Sequence, residues 1–420
     1  MSMKGRLGVL GIAVLALVSS SCGGGSSHGA VSTTRPPETT TTTTAASNPL
    51  APRVTIALLR PQFAVVGLVN APAAGRVELE MTTDFVHWRD VTPPVPQQGR
   101  FGGISAIRDV SFPTPETGWV VVSLPSSALE LYRTTDAGTT WHVLPGGVTS
   151  GGAAGDELID FLDAGHGWRE VIAPTAGGVS LSATSDGGET WSPLVDPARW
   201  PAAGILALSR FSRGFLADTL PPSQDLPDDQ PLSAFSPLWE TIDGGRDWHR
   251  ADIALPSGFA GAQSYEGLPT FIDADHGVLP VFLLDHGALW VSFFGTSSGG
   301  DSWSDESSVR LGVPRQSPTS PSDLLPAVAM AGPDTWWIVD ALGPSDPVVV
   351  RVTDDAGRSW TSVPPAGLPS SPPSSYPSGI TSIQARSATT AWVMEPNGPG
   401  CGLFGTIDRG RNWMPVCPGR

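Results

Sequence analysis

Lysine is all but missing from this chain. Lys4 is the only one, and every other cationic side chain is arginine. Charge of any kind is sparse, at 15% of 420 residues, and it leans acidic to a formal net charge of -16. An acidic surface repels phosphate backbones, which argues against nucleic acid as a partner. Tyrosine and cysteine are scarce, with 3 of each. No apolar run reaches the roughly 20 residues that a membrane-spanning helix needs. Low charge with 40% hydrophobic content also speaks against a disordered chain. What is abundant is Gly (49), Pro (42) and Trp (15). That mixture suggests many short strands joined by turns, an all-β chain.

The N-terminus carries a targeting pattern. Lys4 and Arg6 precede an apolar run from Leu7 to Val18, the length of a signal-peptide core. The run ends in Ser19-Ser20-Ser21-Cys22-Gly23-Gly24. This resembles a bacterial lipobox, with Ser19 where Leu or Val is usual. The resemblance implies diacylglycerol on Cys22, a membrane lipid as partner, and a place on the outer side of the cytoplasmic membrane or cell envelope. Cleavage near Ser21 without lipidation would instead leave a secreted protein. Residues 23–49 are rich in Gly, Ser, Thr and Pro, so they read as a tether, bare or carrying O-linked sugars. Residues 1–22, 23–49 and 50–420 are thus the expected leader, spacer and folded domain.

Two cysteines remain, Cys401 and Cys417. They flank the segment around Arg409 symmetrically, so a hairpin there sets them face to face. In an exported protein they are expected to form a disulfide.

One pattern recurs along the whole domain: Thr, any residue, Asp, any, Gly, two residues, Trp. Full copies carry Asp136 with Trp141, Asp186 with Trp191, Asp243 with Trp248, Asp355 with Trp360, and Asp408 with Trp413. In a sixth copy Ser298 replaces Asp before Trp303. A seventh, with Asp84 and Trp88, lacks the Gly and is one residue short. From Trp88 to Trp413 the tryptophans recur about every 54 residues, the length of one four-stranded propeller blade. The chemistry is that of a tight turn. The Asp and Thr oxygens accept backbone N–H groups, Gly adopts positive φ, and Trp covers the turn.

These repeats resemble the Asp box, or bacterial neuraminidase repeat. The resemblance implies a seven-bladed β-propeller of four-stranded antiparallel blades, with the box between the third and fourth strands in a structural role. The pattern is most similar to the photosystem II stability and assembly factor group, whose propellers bind partners without hydrolase chemistry. A second motif precedes most boxes, as Phe112 before Gly118-Trp119 and Phe161 before Gly167-Trp168. It reads as the turn between the first two strands.

Propeller topology puts turns 1–2 and 3–4 on one face and loops 2–3 and 4–1 on the other. The long irregular stretches 217–237, 251–267, 305–325 and 364–379 all fall on the second face, the expected site for a protein or glycan ligand. Candidates there are Asp218, Asp225, Asp228, Asp229, Tyr265 and Tyr376. The acidic loop reads either as a calcium ligand set or as a solvated charge run, and it matches no calcium motif. The histidines show no metal spacing. A sialidase resemblance would imply three arginines and a Tyr–Glu pair at the channel. Arg60, Arg108, Arg210 and Arg386 fall on innermost strands, but Tyr265 and Glu266 are adjacent and so point apart. Neither a catalytic residue nor a cofactor is expected. The functional expectation is a monomeric, non-enzymatic binding or assembly scaffold, with a glycoside hydrolase or a sortilin-like receptor as alternatives.

Overall fold

The structure is a computed structural model. It describes residues 53–417 apart from 61, 71–75, 96–102, 127, 146–155, 174–177, 195–203, 211–212, 219–237, 315–325, 341, 343–345, 369–381 and 396–400.

Seven antiparallel sheets follow one another along the chain, each using consecutive strands in order. The chain is a seven-bladed β-propeller. Blade 1 is typical, with strands Arg53–Leu59, Ala64–Asn70, Arg76–Thr82 and Arg89–Asp90. Blade 2 repeats it with Ala106–Ser111, Gly118–Ser123, Leu129–Thr134 and His142–Val143. Helix among the described residues is confined to a 3-10 turn at Ser257–Phe259.

The hydrophobic core is divided among the seams between blades. Seven clusters of buried side chains each join one blade to the next. Val65, Leu79 and Val91 of blade 1 meet Phe112, Val120 and Tyr132 of blade 2. The last seam closes the ring, where Leu59, Val66 and Phe85 of blade 1 meet Trp392 and Leu403 of blade 7. Among the described residues no strand is exchanged between first and last blades. Closure therefore rests on side-chain packing, chiefly Phe85 stacked on Trp392 with ring centroids 3.9 Å apart.

The second motif has a packing cause. A Cβ on Gly118 would enter the ring of Phe112, and one on Gly277 would come within 2.7 Å of Phe271. The Phe ring closes over the bare Gly across the first hairpin. That frees the following Trp119, fully buried, to stack on Phe161 of blade 3 at 3.6 Å.

Blade 5 departs from the rest. Its first strand comes in two pieces, Gln263–Glu266 and Thr270–Phe271. Its other strands, Gly277–Asp285, Ala288–Thr296 and Ser304–Gly312, have nine residues each. Two expectations are corrected here. Residues 263–266 form an inner strand instead of ending a loop that starts at 251. Residues 305–312 belong to an outer strand. In both places extended polar segments find a ladder partner, Gly277–Asp285 for the first and Ala288–Thr296 for the second, and polar composition had hidden this.

Candidate functional site

The box turns are built alike. In blade 2 the buried Thr134 Oγ1 accepts the Gly138 N–H at 2.8 Å. Asp136 Oδ1 accepts the Thr140 N–H at 2.8 Å, and Oδ2 takes the Thr140 hydroxyl at 2.7 Å. Ala137 and Gly138 sit at φ 58° and 77°. A Cβ on Gly138 would also press on Val91 of blade 1, so Gly is required both for backbone angle and for the seam. The turn of blade 1 reaches the same end without Gly. Phe85 takes φ 59°, gives its N–H to Thr82 Oγ1 at 2.8 Å, and fills the closing seam. His87 bonds Asp84 through backbone and ring, as Thr140 bonds Asp136.

Five boxes are each tied to the 1–2 turn of their own blade. Ala137 donates its N–H to the Glu116 carbonyl, Gly187 to Gly165, Gly299 to Asp275, Ala356 to Asp334 and Arg409 to Thr389. Neighbouring blades are tied as well. Trp119 Nε1 donates to the Gly187 carbonyl at 2.9 Å, and Trp337 Nε1 to the Ser387 carbonyl at 2.9 Å. Arg409 reaches Asp354 at 2.8 Å, and Arg213 pairs with Asp301. Boxes and 1–2 turns thus share one face, and their polar groups are engaged with one another.

This bonding holds the box carboxylates down in pKa. The backbone N–H and hydroxyl of Thr140 bring Asp136 to about 2. The hydroxyl and N–H of Thr190 do the same for Asp186, and those of Ser359 for Asp355, both about 2. His87 lowers Asp84, and Asn412 lowers Asp408. Asp243 is lowered too, where bonds from Asp247 and Thr241 outweigh its desolvation.

Carboxyls elsewhere behave in the opposite way. Burial pushes Glu157, near the start of an inner strand (Asp156–Phe161), up to about 7 against the opposing charge of Arg169, 3.9 Å away. Burial raises Asp340, the last residue of strand Trp336–Asp340, to about 6 despite its ion pair with Arg351. Glu395, just past strand Ala391–Met394, is 1% exposed, and burial takes it to about 7. Its Oε2 has no hydrogen-bond partner. Burial raises Glu266 as well. Glu157, Asp340 and Glu395 lie at the ends of their strands that face away from the boxes, while Glu266 sits opposite Val281 near the middle of its blade. Asp109 sits mid-strand. As a residue it keeps some exposure, yet its carboxylate is enclosed and burial lifts it to about 7. It accepts N–H groups from Val110 at 2.8 Å and, across the seam, from Ile159 at 2.7 Å. Backbone donors hold its two oxygens.

Of the expected site residues, Asp225, Asp228, Asp229 and Tyr376 lie outside the described residues, as does Cys22. Asp218 ends the strand Arg213–Asp218. Tyr265 packs near Phe282 on the blade 6 side, while Glu266 meets Ser264 Oγ at 3.4 Å on the other. A Tyr–Glu catalytic pair does not form there. Cys401 and Cys417 are bonded, with Cα atoms 5.6 Å apart, at the foot of blade 7 and away from the boxes. Sequence reasoning missed Glu157, Asp340 and Glu395. An acid inside an otherwise apolar strand, as in Trp336–Asp340, was the available signal. On the box face a shallow groove of about 320 Å³ opens between blades 1 and 2, beside His87, Arg89 and Glu116. No group of three or more His, Cys, Asp or Glu among the described residues is placed to hold a metal ion. None of the described helices is long and apolar enough to cross a membrane.

No protein-family model and no curated protein matches the chain. Solved structures do. YCF48 bound to D1 peptide is 17% identical over 86% of this chain and 93% of that one, with a TM-score of 0.46. The BP39L lectin from Burkholderia pseudomallei is 16% identical over 85% and 95%, with a TM-score of 0.44. The Hadza microbial sialidase Hz136 is 12% identical over 74% and 65%, with a TM-score of 0.37.

Proposed function

We propose that this propeller is an exported, lipid-anchored scaffold that binds or assembles a partner without catalysing a reaction, using the face opposite the Asp boxes. One observation carries the reading: the two faces differ in what they leave available. The box face commits its carboxylates to its own turns, blade after blade. The opposite side carries the 2–3 connections and the passages between blades, which vary in length from blade to blade. Long loops over a rigid ring suit recognition. The lipobox-like Cys22 and the tether of residues 23–49 would hold the ring within reach of the outer membrane surface, as a monomer with a protein or glycan ligand. Tyr265 and Glu266 pointing to opposite sides weigh against sialidase chemistry, which needs a Tyr activated by a nearby carboxylate.

The test places a photo-crosslinking amino acid at Ser126 or His286, on the far face, and at Thr139 or Ile242, on the box face. Adducts from the first pair alone are expected. Adducts only from the box face would overturn the reading. Labelling with a fatty-acid probe should vanish in Cys22→Ala. Turnover of a fluorogenic sialoside by the purified chain would replace the scaffold reading with a hydrolase.

A further inference from the structure

A free sheet edge invites pairing with another chain, and proteins commonly blunt it by keeping edge strands short. Six blades do so here. The fourth strand has two residues in blades 1, 2, 3, 4 and 7, and three in blade 6. In blade 5 it has nine, Ser304–Gly312. Among the described residues this strand pairs on one side only, with Ala288–Thr296. Register shifts at Glu306 and Leu311 bracket an uninterrupted stretch, Ser307–Arg310.

The stretch is held in place from within the ring. Ser307 Oγ donates to the Gly357 carbonyl of blade 6 at 2.8 Å. The hydroxyls of Ser308 and Ser292 meet at 2.6 Å, and Arg351 Nη2 donates to the Leu311 carbonyl at 3.2 Å. An edge already paired on its inner side and anchored loses little entropy when it gains a neighbour. Its exposed side chains are charged at both ends, Asp305 and Glu306 at one and Arg310 at the other. The strand contains no proline or lysine, two residues often used to guard an edge.

We propose that the outer edge of Ser304–Gly312 docks an extended basic segment of a partner protein. The segment adds to blade 5 as a further antiparallel or parallel strand, through main-chain hydrogen bonds along Ser307–Arg310. A Lys or Arg of the segment meets Asp305 and Glu306. A chain with net charge -16 draws such a segment in. A second copy is the rival occupant. Antiparallel self-pairing about Ser308 would set Glu306 against Arg310, but it would bring together two bodies that each carry that net charge. This site lies on the rim of one blade and is independent of the far-face proposal.

The test uses the purified full chain and a labelled peptide alternating Arg and Thr, matched to the strand in length. Fluorescence anisotropy should show saturable binding, weakened at least about tenfold by the double variant Asp305→Lys, Glu306→Lys. N-methylation of alternate peptide amides along one edge should abolish binding, and along the other edge should spare it. Hydrogen exchange should find the Ser307–Arg310 segment gaining protection only when the peptide is bound. Four results would overturn the proposal. They are no saturable binding, equal binding of both methylated peptides and the parent, full protection of that segment in the free chain, and a dimer in sedimentation that Glu306→Arg dissociates.

Discussion

Blades 2 and 5 make the same turn from different residues. Gly138 and Gly300 sit at φ 77° and 97°. Their N–H groups reach Thr134 and Thr296 Oγ1 at 2.8 and 3.0 Å. At the next position the two diverge. Asp136 takes the Thr140 N–H at 2.8 Å and its hydroxyl at 2.7 Å. Ser298 Oγ takes the Ser302 N–H at 3.2 Å, and its contact with the Ser302 hydroxyl is 3.3 Å. Thr and Gly therefore set the turn, and Asp tightens it. Blade 5 keeps its turn without the carboxylate while its ladder is longer, with nine paired positions between Gly277–Asp285 and Ala288–Thr296.

The comparison can be broken most forcefully under the Phe rings. Gly118→Ala forces Phe112, fully buried, out of its site and should cost about 3 kcal/mol in denaturant unfolding. Gly277→Ala meets Phe271, which is only half-buried and can shift, so its cost should be clearly smaller. Equal losses would mean that the two blades pack the motif alike.

The threonines come next. Thr134→Val and Thr296→Val each leave a buried glycine N–H without its acceptor. Both should cost about 2 kcal/mol, in blades 2 and 5 alike. A loss in blade 2 alone would show that blade 5 holds its turn by the ladder.

The carboxylate itself should separate the blades. Asp136→Ala is expected to lower the unfolding midpoint measurably, and Ser298→Ala by less. Ser298→Asp should add about 0.5 kcal/mol by restoring the tighter turn. No gain would mean that Ser302 cannot take the place of Thr140.

A gradient with pH should also separate the regions, with opposite sign in each. Box carboxylates have folded pKa values below the unfolded ones. Their contribution is present above about pH 4 and is lost as pH falls toward about 2. Glu157, Asp340 and Glu395 have folded values raised to about 6 or 7. Their contribution is present below about pH 4 and is lost as pH rises through about 7. The unfolding midpoint of the full chain should therefore peak at mildly acid pH. Glu395→Gln should raise it by a few degrees at about pH 8 and by less at about pH 5. A midpoint that climbs steadily to pH 8 would remove the buried acids from this account.

Much of the molecule was legible in its residues. The tryptophan spacing announced seven blades, because one Trp covers one turn per blade. The first turns of blades 2 and 3 were readable from Phe112 before Gly118-Trp119 and Phe161 before Gly167-Trp168. Blade 5 was not. Its inner strand Gln263–Glu266 and outer strand Ser304–Gly312 are polar, and their pairing depends on long strands elsewhere in the blade. The divergence of Tyr265 and Glu266 was legible, since neighbours in a strand point to opposite faces.

The sequence by itself determined the blade count, the turn chemistry and the shared face of boxes and 1–2 turns. Each of these is local, decided within one hairpin by the residues that make it. Only the tertiary structure decided which carboxyls are buried, how the ring closes through Phe85 on Trp392, and which outer edge stays long. Those depend on residues far apart in the chain. Asp136 and Glu395 both stand just past the end of a strand, yet one meets three donors in its own turn and the other is enclosed with an oxygen unpaired. Solvation and hydrogen bonding set a carboxyl's charge, and for a buried group both are supplied by neighbours that the fold brings in.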